Sequence, residues 1–93
     1  GRVMHLVRLV EDLSLRSVEA RLARLLLEQA DGDLVHRQRW ATQAAIAARL
    51  GTVPDVVNRA LRKLAEDGII AVERYQIKIL HQEKLKNIAQ LVD

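Results

Sequence analysis

Cysteine and phenylalanine are absent from this 93-residue chain, and proline, methionine, tryptophan and tyrosine occur once each. Without cysteine there is no disulfide framework, no thiolate metal site and no cysteine nucleophile, which fits a reducing compartment. The scarcity of aromatics leaves the core to Leu, Ile, Val and Ala, within an apolar fraction of 49%. No apolar run approaches the roughly 20 residues that cross a bilayer, and no signal-peptide pattern opens the chain. A cytoplasmic protein without a membrane partner is therefore expected. A chain of this length holds one domain around one core.

Catalytic chemistry is equally sparse. His5, His36 and His81 lie far apart, and none shares a metal-ligand spacing with a carboxylate or a second histidine. No glycine-rich phosphate loop is present, and Ser14 and Ser17 suit helix caps better than nucleophiles. These absences predict no enzyme, no metal and no cofactor in these residues.

What is present is a concentration of positive charge. Residues 1–35 carry five basic and six acidic side chains, and residues 64–93 carry four basic and five acidic. Residues 36–63 carry Arg37, Arg39, Arg49, Arg59, Arg62 and Lys63 against Asp55 alone, a local net charge of +5. Such a segment is either a solvated face or a surface for a polyanion.

Helical periodicity organises most of the chain. Val3, Leu6, Val10 and Leu13 recur at spacings of three and four, the seam of a short coiled coil, and predict dimerisation. The pattern is already under way at Gly1, so the sequence reads as the C-terminal part of a longer chain. Ser14 to Ser17 read as a break, with Ser17 capping a second helix and Glu19 near its positive end. Val18, Leu22, Leu25 and Leu26 form that helix's stripe, which ends near Ala30 with Asp31 and Gly32 in the turn. Residues 1–14 are thus expected to close a dimerisation helix, and residues 15–93 to form the domain proper. Leu34 to Trp40 fits a brief strand or an extended connector, with Trp40 as a lid on the core.

Thr42 is placed to cap a short helix whose inner face is Ile46, Ala47 and Leu50, and Gly51 closes it. A second helix, about 54–66, follows at once, with Val56, Val57, Ala60, Leu61 and Leu64 inside and Asp55, Asn58, Arg59, Arg62 and Glu66 outside. Pro54 starts this helix, because first-turn amides have no intrahelical partner to lose. The cap is either Val53, with Pro54 in the first helical position, or Thr52, with Asp55 completing a variant capping box. Helix, tight turn and helix make a helix-turn-helix. Gly68 ends the second helix, and residues 69–73 and 76–80 then alternate as two strands around Arg74 and Tyr75. Leu85, Ile88, Ala89 and Val92 predict a closing helix over 83–92.

The predicted fold is mainly α with a small β-hairpin wing, a winged helix-turn-helix preceded by the end of a dimerisation helix. In that arrangement the second helix enters the major groove and the wing rests on the backbone. Asp55 and Arg59, one turn apart, suit a C·G step, because Arg takes both acceptors of G and a carboxylate accepts from the amino group of C. Arg62 and Lys63 suit phosphates, as do Arg74, Tyr75 and Lys78 in the wing. Thr42, Gln43 and Thr52 complete the set expected at the DNA backbone. The alternative for Asp55 and Arg59 is a solvated ion pair, and for the whole unit a winged helix used for protein contacts. Steep loss of DNA affinity with salt separates the two.

With those residues identified, the chain resembles the C-terminal half of Crp/Fnr-type transcription regulators. The resemblance runs through LVEDLSLRSVEARLARLLLEQ at Leu9 to Gln29, TQAAIAARLGTVPDVVNRALRKLAEDGII at Thr42 to Ile70, and IKILHQEKL ending at Leu85. It implies a preceding β-roll sensory domain with an effector that these residues do not identify, an inverted-repeat site read by two copies, and recruitment or occlusion of RNA polymerase. Family members with a Glu-x-x-Ser-Arg signature contact bases through the Glu and the Arg, and the matching positions here are Asp55, Asn58 and Arg59. Pro54 stands where some members carry another base-contacting arginine, and Asn58 is expected to take up adenine reading through its amide. A GntR-type winged helix, with no β-roll, is the alternative family.

Overall fold

The computed structural model describes residues 2–36 and 42–90, with side chains from residue 15 onward. Seven elements follow in order: α1 (Arg2–Gln29), β1 (Leu34–His36), α2 (Gln43–Leu50), α3 (Pro54–Glu66), β2 (Ile70–Val72), β3 (Gln76–Ile79) and α4 (Gln82–Ala89). The side chains of Val3, Leu6, Val10 and Leu13, along with Trp40, Arg37, Arg39 and Val92, lie outside the described residues.

The first finding is a correction. The break expected at Ser14 to Ser17 does not occur, and α1 runs without interruption for 28 residues. No glycine or proline falls between Arg2 and Gln29 to force a stop, and a mid-helix serine costs under about 0.7 kcal/mol relative to alanine. Packing Leu15 and Val18 on one continuous stripe outweighs that cost. Ser17 is therefore not a cap, and Glu19 sits inside the helix, buried, and not at its start.

α1 is the spine against which α3 and α4 pack, while α2 packs on α3. Leu22 and Leu26 of α1, Ile46 of α2, Val57 and Leu64 of α3, Ile70, Ile77 and Leu85 are fully buried and form one aliphatic core with Val35. Two arginines of α1 fasten helix ends to this spine. Arg21 donates to the Leu50 carbonyl at the end of α2 (3.1 Å), and the Arg24 Nε donates to the Ala89 carbonyl at the end of α4 (2.9 Å). Those carbonyls lack intrahelical partners and carry the negative end of the helix dipole, so a guanidinium satisfies both needs.

The expected hairpin forms between β2 and β3, slightly shorter than its sequence pattern, with Ile70 opposite Ile79 and Val72 opposite Ile77. The segment from Leu34 resolves to a strand as far as His36. It pairs antiparallel with β3, Val35 opposite Ile77, so the sheet has the order β1-β3-β2. This gives β3 a neighbour on each side and buries Val35 and Ile77 together. The closing helix begins at Gln82, one residue earlier than its pattern. There the Gln82 side chain donates to Asp33 Oδ1 (2.8 Å) and ties α4 to the turn before β1.

Candidate nucleic-acid interface

The geometry of the helix-turn-helix begins with its stops and starts. Thr42 caps α2, its Oγ1 accepting from the Ala45 amide at 3.1 Å. At the other end Gly51 takes φ +71, a left-handed conformation that side chains with a Cβ avoid. It closes α2 through the Gly51 N–H to Ala48 O and Thr52 N–H to Ala47 O bonds, the Schellman pattern. Val53 is the cap of α3 and Pro54 its first residue, so the Thr52 alternative is not adopted. The extended backbone of Val53 (φ −116, ψ 156) lets its carbonyl accept from Val56 and Val57 without any side-chain cap.

Burial of Val57, Ala60, Leu61 and Leu64 sets the rotation of α3 about its axis. At about 100° per residue the same rotation lines up Asp55, Arg59, Arg62 and Glu66 on the outer side, and all four are exposed. Arg59 Nη2 lies 3.4 Å from Asp55 Oδ2, with the two side chains 67% and 72% exposed. An ion pair that open contributes little to stability. It does hold the arginine and the carboxylate side by side, one turn apart, facing away from the core.

The remaining predicted residues divide into those that join this row and those that do not. Asn58 flanks it on the α2 side, half-buried, where its Oδ1 accepts from Gln43 Nε2 at 3.2 Å. Gln43, expected at the DNA backbone, thus reaches across the turn to a residue of α3. Lys63 flanks the row on the opposite side, about 80° round from Asp55, where Nζ lies 3.8 Å from Asp67 Oδ2. Thr42 is exposed and Thr52 half-buried, both at the turn's edges. Thr42 keeps its O–H free to donate while the oxygen serves the cap. Arg74 and Tyr75 form the hairpin tip, closed by the Glu73 N–H to Gln76 O bond. The Arg74 guanidinium sits 5.2 Å from the Tyr75 ring centroid, a cation–π distance, and Lys78 is exposed on β3 opposite Ala71 and Leu34.

Glu19 is the residue that sequence patterning misread. Burial beside the end of α3 pushes its carboxyl above the usual range, Lys63 pulls it down, Asp67 pushes it up and Arg16 pulls it down. Lys63 thus pairs with Asp67 and also acts on Glu19 through space. The signal available in the sequence was weak, since a glutamate at the edge of a helical stripe ordinarily faces water. A cleft of about 360 Å³ lies elsewhere, lined by Arg21, Arg24, Leu25, Glu28, Arg49 and Leu50. No residue of α3 lines it, so it is separate from the polar row. Among the described residues no group of three His, Asp or Glu could hold a metal ion, and no helix is long and apolar enough to cross a membrane.

Comparison with known proteins bears on this arrangement directly. The Crp-like helix-turn-helix domain model matches residues 20–88. Transcriptional regulator SdrP of Thermus thermophilus is 30% identical over 88 residues, which are 89% of this chain and 44% of SdrP. The catabolite activator protein of Thermus thermophilus superposes with a TM-score of 0.77 at 26% identity, over 95% of this chain and 41% of that one. The reduced (Fe II) CO-sensing protein of R. rubrum gives a TM-score of 0.78 at 26% identity, over 94% of this chain and 43% of that one. The chain spans less than half the length of each.

Proposed function

The chain belongs to the Crp-like helix-turn-helix domain family and is a DNA-binding domain of a transcription regulator; from that premise we propose that α3 reads a specific duplex sequence from the major groove. The observation that carries this is the outer row of α3, where an arginine and a carboxylate are held 3.4 Å apart and open to solvent. Arg59 then takes the O6 and N7 acceptors of a guanine, and Asp55 accepts from the amino group of a cytosine. Asn58 contacts an adjoining base. Arg62, Lys63, Thr42 and Thr52 meet phosphates on either side, and Arg74, Tyr75 and Lys78 bring the wing onto the backbone.

Regulators of this family bind DNA as dimers, and the seam Val3, Leu6, Val10 and Leu13 supplies a two-fold contact. Two copies of α3 then read an inverted repeat whose half-sites lie about one helical turn apart. Residues 1–14 carry the dimerisation seam, and residues 15–93, which include the rest of the same unbroken helix α1, form the DNA-binding domain. Occupancy of the site acts on transcription by recruiting or occluding RNA polymerase in the cytoplasm. The GntR alternative is not the family matched.

Arg59→Ala tests the base-reading role. It is expected to cost about 1 to 3 kcal/mol and to relax preference at one base pair, whereas Lys63→Ala weakens all sequences alike and flattens the salt dependence by about one counterion. Competition binding with selected and scrambled duplexes measures both, and equal losses on the two duplexes for Arg59→Ala would overturn the assignment. Sedimentation of the protein tests the seam, and a monomer at high concentration would count against it.

A further inference from the structure

Gln43 begins α2 and Asn58 lies on α3, 15 residues later, yet their amides meet at 3.2 Å with the Gln43 Nε2 as donor and Asn58 Oδ1 as acceptor. We propose that Gln43 is a positioning residue that sets which base edge Asn58 reads, in place of the phosphate contact expected of it. This role depends on α3 being the DNA-reading helix proposed above.

An asparagine amide at a groove is ambiguous by itself. Half a turn about its last torsion exchanges a double donor for an acceptor, so a free Asn58 would tolerate opposite base edges. The bond from Gln43 couples the two amides, so that Asn58 does not turn alone, and in the sense the structure shows Nε2 donates to Oδ1. It draws Oδ1 toward α2 and leaves both Nδ2 hydrogens to project, with the second lone pair of Oδ1 beside them. A donor with an adjacent acceptor matches the N7 and N6 positions of adenine, and the donor alone matches the N7 of guanine. Cytosine presents an amino donor at that edge and meets a donor in return, which is a penalty and not merely a lost bond.

Gln43 is itself well anchored for this task. The Thr42 side chain and carbonyl hold the first turn of α2 through Ala45 and Ile46. Ile46, Ala47 and Leu50 are buried in the shared core, so α2 cannot drift relative to α3. Gln43 is exposed, and nothing buried depends on it. Its replacement therefore changes the hold on Asn58 and leaves the fold alone.

Selection of binding sites from randomised duplexes, with the unsubstituted protein and the Gln43→Ala, Gln43→Glu and Asn58→Ala variants, tests the assignment. The unsubstituted protein is expected to disfavour cytosine about tenfold at one position, a discrimination that Asn58→Ala removes. Gln43→Ala should lower it about threefold at that same position, with affinity for a scrambled duplex unchanged. Gln43→Glu should move the preference toward cytosine, because a carboxylate accepts from Nδ2 and turns Oδ1 to the groove. A Gln43→Ala variant that weakens every sequence alike, as loss of a phosphate contact would, or that changes nothing at the Asn58 position, overturns this role and leaves base reading by Arg59 standing. Selection of no sequence by the unsubstituted protein overturns both.

Discussion

The two faces of α3 are made from one run of 13 residues and are held in opposite ways. On the inner face Val57, Ala60, Leu61 and Leu64 are between 0 and 4% exposed and touch α1 and the sheet through one continuous core. On the outer face Asp55 pairs with Arg59, and Asn58 with Gln43. The inner face decides where the helix lies and how it is rotated, through many dispersion contacts that no single side chain controls. The outer face decides what the helix contacts, through a few directional bonds. Substitution on one face should therefore register in stability, and on the other in DNA preference.

The largest effect that would sharpen this contrast is on the inner face. Leu64→Ala is expected to lose about 2 to 5 kcal/mol of stability by chemical denaturation, because the fully buried site cannot collapse around the missing atoms. Base preference of the molecules that remain folded should be unchanged. A shifted preference without a loss of stability would break the division between the faces.

At the junction of the two helices, Gly51→Ala should cost about 1 to 2 kcal/mol, since φ +71 is disfavoured for any residue with a Cβ. The added methyl would meet nothing within 4 Å, so the loss is one of backbone strain alone. A valine there should cost at least as much as alanine, whereas equal stability of glycine and alanine in thermal melts would contradict the left-handed turn.

Glu19→Gln tests the back of the interface and should have a smaller, pH-dependent effect. The folded carboxyl titrates above its ordinary value, so the folded state holds the proton longer than the unfolded chain does. Stability from this group is present below the ordinary carboxylate range and is lost as pH rises through the raised folded value. Glutamine is uncharged throughout, so the variant should match the natural protein at acid pH and exceed it near neutrality. Urea melts at both values measure the difference, and a gap that does not vary with pH would rule this origin out.

The smallest expected change is in the stability of Asp55→Ala, at most about 0.5 kcal/mol at low salt and less as salt rises, as for any open i, i+4 ion pair. Its effect on selectivity for cytosine at the position Asp55 reads should nonetheless be plain in competition binding. A large loss of stability would mean that the outer face is structural after all.

Much of the fold was legible in the sequence where local rules are strong. The 3.6-residue period of α3, Pro54 at its start, Gly51 and Gly68 at helix ends, Thr42 as a cap and the alternation around Ile77 and Ile79 each state a conformation within a few residues. One error and one alternative left open fall where local signals are weak. Ser14 to Ser17 offered a cap that the backbone did not need, because serine is only mildly unfavourable inside a helix and the apolar stripe continued past it. Leu34 to His36 is too short to show a period, and its status as a strand depends on β3, more than 40 residues away. Of the candidate site, the row Asp55, Arg59 and Arg62 followed from the rotation of one helix. The partners of Asn58 and Lys63 did not.

The sequence by itself therefore determined where α2, α3 and the β2–β3 hairpin lie and which side of α3 is apolar, since each depends on signals from residues close together in the chain. Only the tertiary structure decided that α1 is unbroken, that Arg21 and Arg24 fasten the ends of α2 and α4, that Glu19 is buried beside Lys63, and that Gln43 holds Asn58. These are meetings of side chains from elements whose distance and crossing are set by how the whole core packs. No periodicity within either element encodes them, and so the partner that Asn58 meets is one that the linear chain does not advertise.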